Sequence, residues 1–254
     1  MRQKKVMCVD ADHKPTFKSW PVFKCLYAEI DHQDRKFILN DGKWFNVAHE
    51  FVARTNDYFA KIQYSDLALP LYAGGGEGAY NASVAAGEPM RFALLDNTKK
   101  VMHGGGRGQV EICDLFSIDR QLIHVKIYGK SSVLSHLFSQ GFVSGQLIQV
   151  DSDFRRKIRK QLPPGFVELV RVDQKPSPDE FTIVYAISSD EKSDKFHLPF
   201  FSRVNLNNIA KILMGFGYKV ELLKIGVDEV FSKTTTLPTS KKTNSKPANT
   251  QQES

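Results

Sequence analysis

The stretch VEICDLFSIDRQLIHVKIYG, residues 110–129, decides how this chain is read. Two apolar runs flank Ser117, Asp119 and Arg120, the pattern of two antiparallel strands joined by a tight connection. The predicted strands cover 110–116 and 121–128. Period-2 alternation in the second puts Leu122, His124, Lys126 and Tyr128 on one face and Ile123, Val125 and Ile127 on the other. The more apolar face is expected to be buried, so a histidine and a lysine share the other, two residues apart.

Which acid joins them depends on register, because a slip of one residue exchanges faces. A three-residue loop over 118–120 sets Asp114 opposite His124. A four-residue loop sets Cys113 opposite His124 and Glu111 opposite Lys126, and turns Asp114 to the side of Ile123. Matching apolar faces favours the four-residue loop, since Val110, Ile112 and Phe116 then join the isoleucines. A bulge near Asp114 would bring both acids toward the site.

Working outward, residues 77–86 are a helix candidate and 92–96 a strand. Beyond the hairpin, Val133, Leu134, Leu137 and Phe138 share one face of a helix predicted over 131–140. Gly141 is its expected stop, and a second helix is expected over 144–160. His136 and Gln140, four apart on the opposite side, could face the hairpin site. FTIVYAIS, 181–188, reads as a buried strand, 205–214 as a helix ended by Gly215 and Gly217, and 218–225 as a strand. Upstream, Asn40-Asp41-Gly42 marks a hairpin turn within a meander over 20–47. Residues 50–63, with Phe51, Val52, Tyr58, Phe59 and Ile62 on one side, follow as an amphipathic helix.

Adjacent strands followed by alternation predict an α/β (α+β) fold, a mixed β-sheet flanked by helices. The expected organisation is an N-terminal extension over 1–19, a small β-meander plus helix over 20–66, an α/β domain over 67–231 and a disordered tail over 232–254. The tail is rich in Ser, Thr, Asn, Gln, Lys and Pro, with too few apolar residues to offset its ordering entropy. Glycine clusters at 74–78 and 104–108 predict flexible loops. Neither has phosphate-loop spacing, and Gly129-Lys130-Ser131 lacks the required glycine, since His124 stands five residues before Gly129.

The chain has 254 residues and a net charge of +7, which suits a polyanionic partner. Lys233, Lys241, Lys242 and Lys246 against Glu253 give the tail +3, leaving a mild +4 for the rest. The densest cations outside it are Arg155, Arg156, Lys157, Arg159 and Lys160. On a helix they would cover more than half its circumference, and they are the expected contacts to a phosphate backbone, unless they form only a solvated face. Three cysteines without ligand or disulfide spacing, no secretory leader and no run of membrane-spanning length predict a cytoplasmic location with no membrane contact.

A carboxylate with a ligand two residues before a lysine is what a metal-dependent phosphodiesterase needs. Oxygen ligands hold a hard cation, the cation lowers the pKa of a bound water, and the lysine orients that water or stabilises phosphorane charge. The expected cofactor is a divalent metal, Mg or Mn, with Asp114, His124 and Lys126 central and Glu111 supporting. The same side chains could instead be solvated cross-strand pairs.

The order helix, three antiparallel strands, helix, strand resembles the restriction-endonuclease-like core of the PD-(D/E)xK nuclease superfamily. That resemblance implies Asp114 as the aspartate of the second strand, Lys126 as the lysine of the third, and Glu77 as an acid from the upstream helix. Its metal ligands would then be Asp114, His124 and Glu77. His124 stands where the superfamily has Glu or Asp, and imidazole suits Mn or Zn better than Mg. HVK also resembles the HxK of phospholipase D enzymes, but Ser131 occupies the place of their aspartate.

Four segments carry a longer resemblance, LPLYAGGGEGAYNASVA (69–85), VEICDLF (110–116), LIHVKIYGKSSVLSHLFSQGFVS (122–144) and LPFFSRVNLNNIAKIL (198–213). They are similar to a sporadically distributed, uncharacterised prokaryotic family suspected of roles in phage defence or mobile elements. That resemblance implies a chain matching the family's C-terminal half, with a separate chain supplying the N-terminal half. The expected function is nucleic-acid cleavage, DNA before RNA, and the alternative is a non-catalytic nucleic-acid or protein interaction module.

Overall fold

Asn40-Asp41-Gly42 turns as expected, inside a three-stranded antiparallel sheet of β3 (Ala28–His32), β4 (Arg35–Asn40) and β5 (Lys43–Asn46). Both of its hairpins close through two residues with positive φ, Gln33-Asp34 and Asp41-Gly42, a conformation that such turns require. The computed structural model describes residues 3–95, 101–103, 108–127, 131–193, 195 and 197–229. The tail expected over 232–254, the Gly104-Gly105-Gly106-Arg107 loop and Tyr128 to Lys130 lie outside these. The extension expected over 1–19 includes β1 (Lys5–Val9) and the start of β2 (Pro15–Pro21), which pair as a hairpin.

The remaining elements are α1 (His49–Phe59), β6 (Gln63–Tyr64), α2 (Glu77–Gly87), β7 (Phe92–Leu94), β8 (Val101–His103), β9 (Gly108–Val110), β10 (Leu115–Ser117), β11 (Gln121–Ile127), α3 (Ser131–Val150), α4 (Ser152–Arg159), β12 (Thr182–Ser189), α5 (Phe200–Phe216) and β13 (Lys219–Gly226). Six strands form the main sheet in the order β6-β13-β12-β11-β10-β7. β10 is antiparallel to both neighbours, while β11, β12, β13 and β6 run parallel. The sheet is therefore mixed, and β8 with β9 forms a separate small hairpin.

Helices cover both faces. Leu122, Ile183, Tyr185, Ile187, Val220 and Leu222 pack with Leu134, Leu137 and Phe138 of α3 and Leu206, Ala210 and Leu213 of α5. On the other side, Leu115, Ile123, Val125, Val184, Ala186 and Leu223 pack with Tyr80 and Val84 of α2. Both faces of β11 are thus buried, against the expectation of one apolar and one polar face. A strand inside a doubly covered sheet has no solvent side to reserve for polar residues.

The hairpin register follows the three-residue loop, with Leu115 opposite Ile123 and Phe116 opposite Leu122. Apolar matching favours four on a sheet with one buried face, but with both faces covered it expresses no preference. Local chemistry decides instead. Arg120 takes the left-handed conformation (φ 59°) that closes three-residue hairpins. Ser117 Oγ accepts from the N–H groups of Asp119 (3.2 Å) and Gln121 (3.1 Å), fastening both sides of the loop.

Residues 111–114 are irregular and interrupt the strand predicted over 110–116. Ile112 and Cys113, adjacent in sequence, are both buried in the α3 side of the core. A regular strand would send them to opposite faces, so the chain bends here.

Gly141 does not end a helix, since α3 runs through it. A Cβ there would lie 2.5 Å from the Tyr185 hydroxyl oxygen, and that hydroxyl donates to the Phe138 carbonyl at 3.0 Å. The glycine lets α3 lie close on β12. The break comes at Asp151, whose carboxylate accepts from the N–H groups of Asp153 (2.8 Å) and Phe154 (3.0 Å) and opens α4.

Candidate active site at the free edge of β11

β10 begins at Leu115, while β11 continues to Ile127, so among the described residues no strand pairs with the end of β11 on that edge. Ile123 C=O points toward β10, where it accepts from the Asp114 N–H at 3.0 Å. The N–H groups of Val125 and Ile127 point the same way and need acceptors. Asp114 Oδ2 takes the first at 2.7 Å, and Glu77 Oε1 takes the second at a long 3.4 Å. Two carboxylates from distant parts of the chain replace the missing strand.

Glu77 Oε2 also accepts from Lys126 Nζ at 2.7 Å. Lys126 shares its face with Leu122 and His124 by alternation, and its long stem carries the ammonium to the first turn of α2. The site is a cavity of about 530 Å³ lined by Glu77, Glu111, Asp114, Lys126, His136 and Gln140, with Gly78, Ala82, Leu94 and Val125 completing the wall. Glu111 reaches it because of the bend at 111–114. Its Oε2 accepts from Gln140 Nε2, so α3 fixes one acid as α2 supplies another.

Glu77, Glu111, Asp114 and Lys126 therefore meet, as does the His136 and Gln140 pair. His124 does not. It is 1% exposed, its ring centroid is 6.0 Å from that of Tyr185, and Ser144 Oγ lies 3.3 Å from its Nε2. Ser144 itself donates to the Gly141 carbonyl at 3.1 Å, which leaves its oxygen to accept from the imidazole. Burial pushes the His124 pKa down to about 3, so the ring is neutral near pH 7. The expected role of His124 as a ligand in this cavity is corrected, because the helix that covers its face turns it into core. Among the described residues, no three His, Cys, Asp or Glu side chains are grouped to hold a metal ion.

The five cations around α4 do not share one open face either. Arg155 is buried and donates to the carbonyls of Ile148 (2.8 Å) and Val172 (3.2 Å), so it caps the end of α3 instead of contacting a ligand. Arg159 donates to the Val170 carbonyl (3.1 Å) and to Glu168 (2.8 Å), and Arg156 pairs with Asp153. Arg156, Lys157 and Lys160 are exposed. Gly78 and Ala82, which sequence reading passes over, are the small residues that leave room beside Glu77; their spacing of four on α2 is the only signal of it.

A family model covers residues 1–226. The chain belongs to a family of unknown function, DUF6119. No curated protein and no solved structure was found to match it. Membership thus agrees with the resemblance to an uncharacterised family and assigns no chemistry. No helix among the described residues is long and apolar enough to cross a membrane.

Proposed function

We propose that the cavity at the free edge of β11 cleaves phosphodiesters in nucleic acid with the help of a divalent cation, Mg or Mn. The observation that carries this reading is the convergence of Glu77, Asp114 and Lys126, from α2, the bend just before β10 and the end of β11, on one cavity. The order helix, three antiparallel strands, helix, parallel strand supports it, since it is what the PD-(D/E)xK resemblance implies.

Asp114, Glu111 and Glu77 bring carboxylate oxygens, the donors a hard cation takes, to the cavity wall, but as they stand no three of them are grouped to hold an ion, so a cation would have to draw them together. When bound, the cation would supply Lewis acidity and a more acidic water. Asp114, held on the Val125 N–H, would be the oxygen donor fixed to β11. Gln140 orients Glu111, and the Lys126 ammonium is the group that would meet phosphorane charge. Arg156, Lys157 and Lys160 would hold the flanking phosphates, of DNA before RNA. The setting we infer, from the resemblance alone, is prokaryotic defence or mobile-element biology.

One observation favours a second reading, a non-catalytic binding module. Asp114 and Glu77 already satisfy the edge of β11, so they could serve structure only. Calorimetry with Mg and Mn, together with cleavage assays on plasmid DNA and structured RNA, separates the two. Cation binding that is lost in Asp114→Asn, with cleavage lost in Lys126→Ala, is the expected result. No cation binding, or cleavage unchanged in Lys126→Ala, overturns the nuclease reading.

A further inference from the structure

We propose that the N-terminal hairpin and meander form a binding surface for single-stranded nucleic acid, on which Trp20 and Trp44 stack against bases while Lys4, Lys18 and Arg35 hold phosphates. This surface shares no residue with the cavity beside β11, and the proposal stands whether or not that cavity cleaves.

The chain has two tryptophans, and neither is in the core. Trp20 is 45% exposed on β2 and Trp44 is 50% exposed on β5. Leaving two such large apolar rings half in water forfeits burial that folding alone would favour. Val6, which pairs with Trp20 across the hairpin, is exposed as well. β1 and β2 form a two-stranded sheet of their own, an element that is marginal by itself in water, and they rest on the helical turn Val22–Cys25. That turn sits against the meander: a Cβ on Gly42 would lie 3.0 Å from the Phe23 ring, and Lys24 Nζ is 3.9 Å from Asp41. Trp20 comes shortly before Phe23 in the chain and Trp44 shortly after Gly42, so the two rings flank this one contact.

Cations stand beside both rings. Lys4, two residues before Val6, shares the face of Trp20 by alternation, and Lys18 precedes Trp20 by two on β2. On the meander, Leu39 lies opposite Trp44, so Arg35 points to the same side about 13 Å farther along β4. Exposed Ile30 and half-buried Phe37, a facing pair, lie between. The opposite side of the meander is used in packing. There Glu29 accepts from the N–H groups of Phe200 (2.6 Å) and Phe201 (3.2 Å), and Lys36 Nζ lies 5.7 Å from the centre of the Phe200 ring. The acids Asp12, Asp31 and Asp41 are matched by Lys14, Lys36 and Lys24, whereas Lys4 and Arg35 make no ion pair among the described residues.

The charge selects the occupant. A second copy of this chain meeting the surface with the same patch would set Lys4, Lys18 and Arg35 against their own copies. A single strand satisfies both kinds of group at once, since its bases offer π-faces to the rings and its phosphates meet the cations. A duplex keeps its base faces inside the stack and offers the rings nothing.

The test uses the full chain and its own fluorescence, which reports from this surface alone because the chain has no other tryptophan. Oligo-dT and oligo-U of about 20 nucleotides are the probes, and binding is followed in parallel by the anisotropy of a labelled oligonucleotide. At least one of the two should quench the tryptophan emission as it binds, and the tighter of them identifies the strand as DNA or RNA. Trp20→Ala and Trp44→Ala should each weaken binding about tenfold, with most of it kept in Trp20→Phe and Trp44→Phe. Affinity should fall as salt rises, less steeply in Lys4→Gln and Arg35→Gln. Phe45 is as exposed as Trp44 but points to the other side of β5, so Phe45→Ala should bind as wild type does. No binding, binding without quenching, or affinity unchanged in both alanine variants overturns the proposal. The first two need only the wild-type chain, so they decide even if a variant fails to fold. Tighter binding of a duplex, equal quenching by polyglutamate, or a dimer in sedimentation that Trp44→Ala abolishes would also overturn it, the last two in favour of an acidic protein or a second copy.

Discussion

β11 has two halves, and they live in different surroundings. From Gln121 to Ile123 it lies between β10 and β12, and as far as Val125 it is buried under α2 and α3, so that even its histidine is core. At Lys126 and Ile127 it keeps β12 on one side and, among the described residues, meets Glu77 instead of a strand on the other. His124 and Lys126 obey the same alternation, two residues apart, yet one is a neutral ring against Tyr185 and the other an ammonium in a cavity. Strand periodicity sets the side a residue takes, and the length of the neighbouring strand and the helix above decide what it meets there.

The covered half should resist change most. Gly141→Val would drive a side chain into Tyr185, which packs beside His124, and overpacking of that kind should cost about 3 kcal/mol in urea unfolding. A cost below about 1 kcal/mol would mean that α3 is loosely seated and the contrast between the halves overstated. Next comes the pH response of His124. Its folded pKa of about 3 lies below the unfolded 6.5, so between those values the unfolded chain binds the proton and the folded chain does not. Stability from this group is complete above pH 6.5 and falls as pH drops toward 3, by about 1.4 kcal/mol per unit in the steepest range. His124→Leu should flatten that acid limb, and an unchanged limb would place the ring in contact with solvent.

At the free edge the expected effects shrink. Asp114→Ala strands the Val125 N–H beside a cavity that water can enter, for about 1–2 kcal/mol, and Asp114→Asn should recover part of it. Lys126→Met should change stability by less than about 1 kcal/mol, because its ion pair is partly solvated. An Asp114→Ala cost as large as that of Gly141→Val would erase the distinction and make the edge carboxylates part of the core framework.

Much of the fold was legible locally. FTIVYAIS became β12, Gly217 closes α5 in a left-handed conformation (φ 104°), and the helix over 77–86 appears as α2 almost residue for residue. That Asp114 and Lys126 could share a cavity was legible from the alternation and the hairpin, whereas Glu77 joins them only through the placement of α2. What failed did so for tertiary reasons. Gly141 looks like a helix stop until Tyr185 lies against it. Arg155 looks like a surface cation until the carbonyls of Ile148 and Val172 are placed around it.

By itself the sequence determined the alternation of β11, the positions of most helices and strands, and the acids and lysine that could meet, because those follow from side-chain period, turn chemistry and residue type. Only the tertiary structure decided the register of the hairpin, the bend at 111–114 that swings Glu111 inward, and the separation of His124 from Lys126. Each depends on which distant element covers a given face or leaves an edge open, and burial of that kind is a property of the packed sheet and not of any one strand.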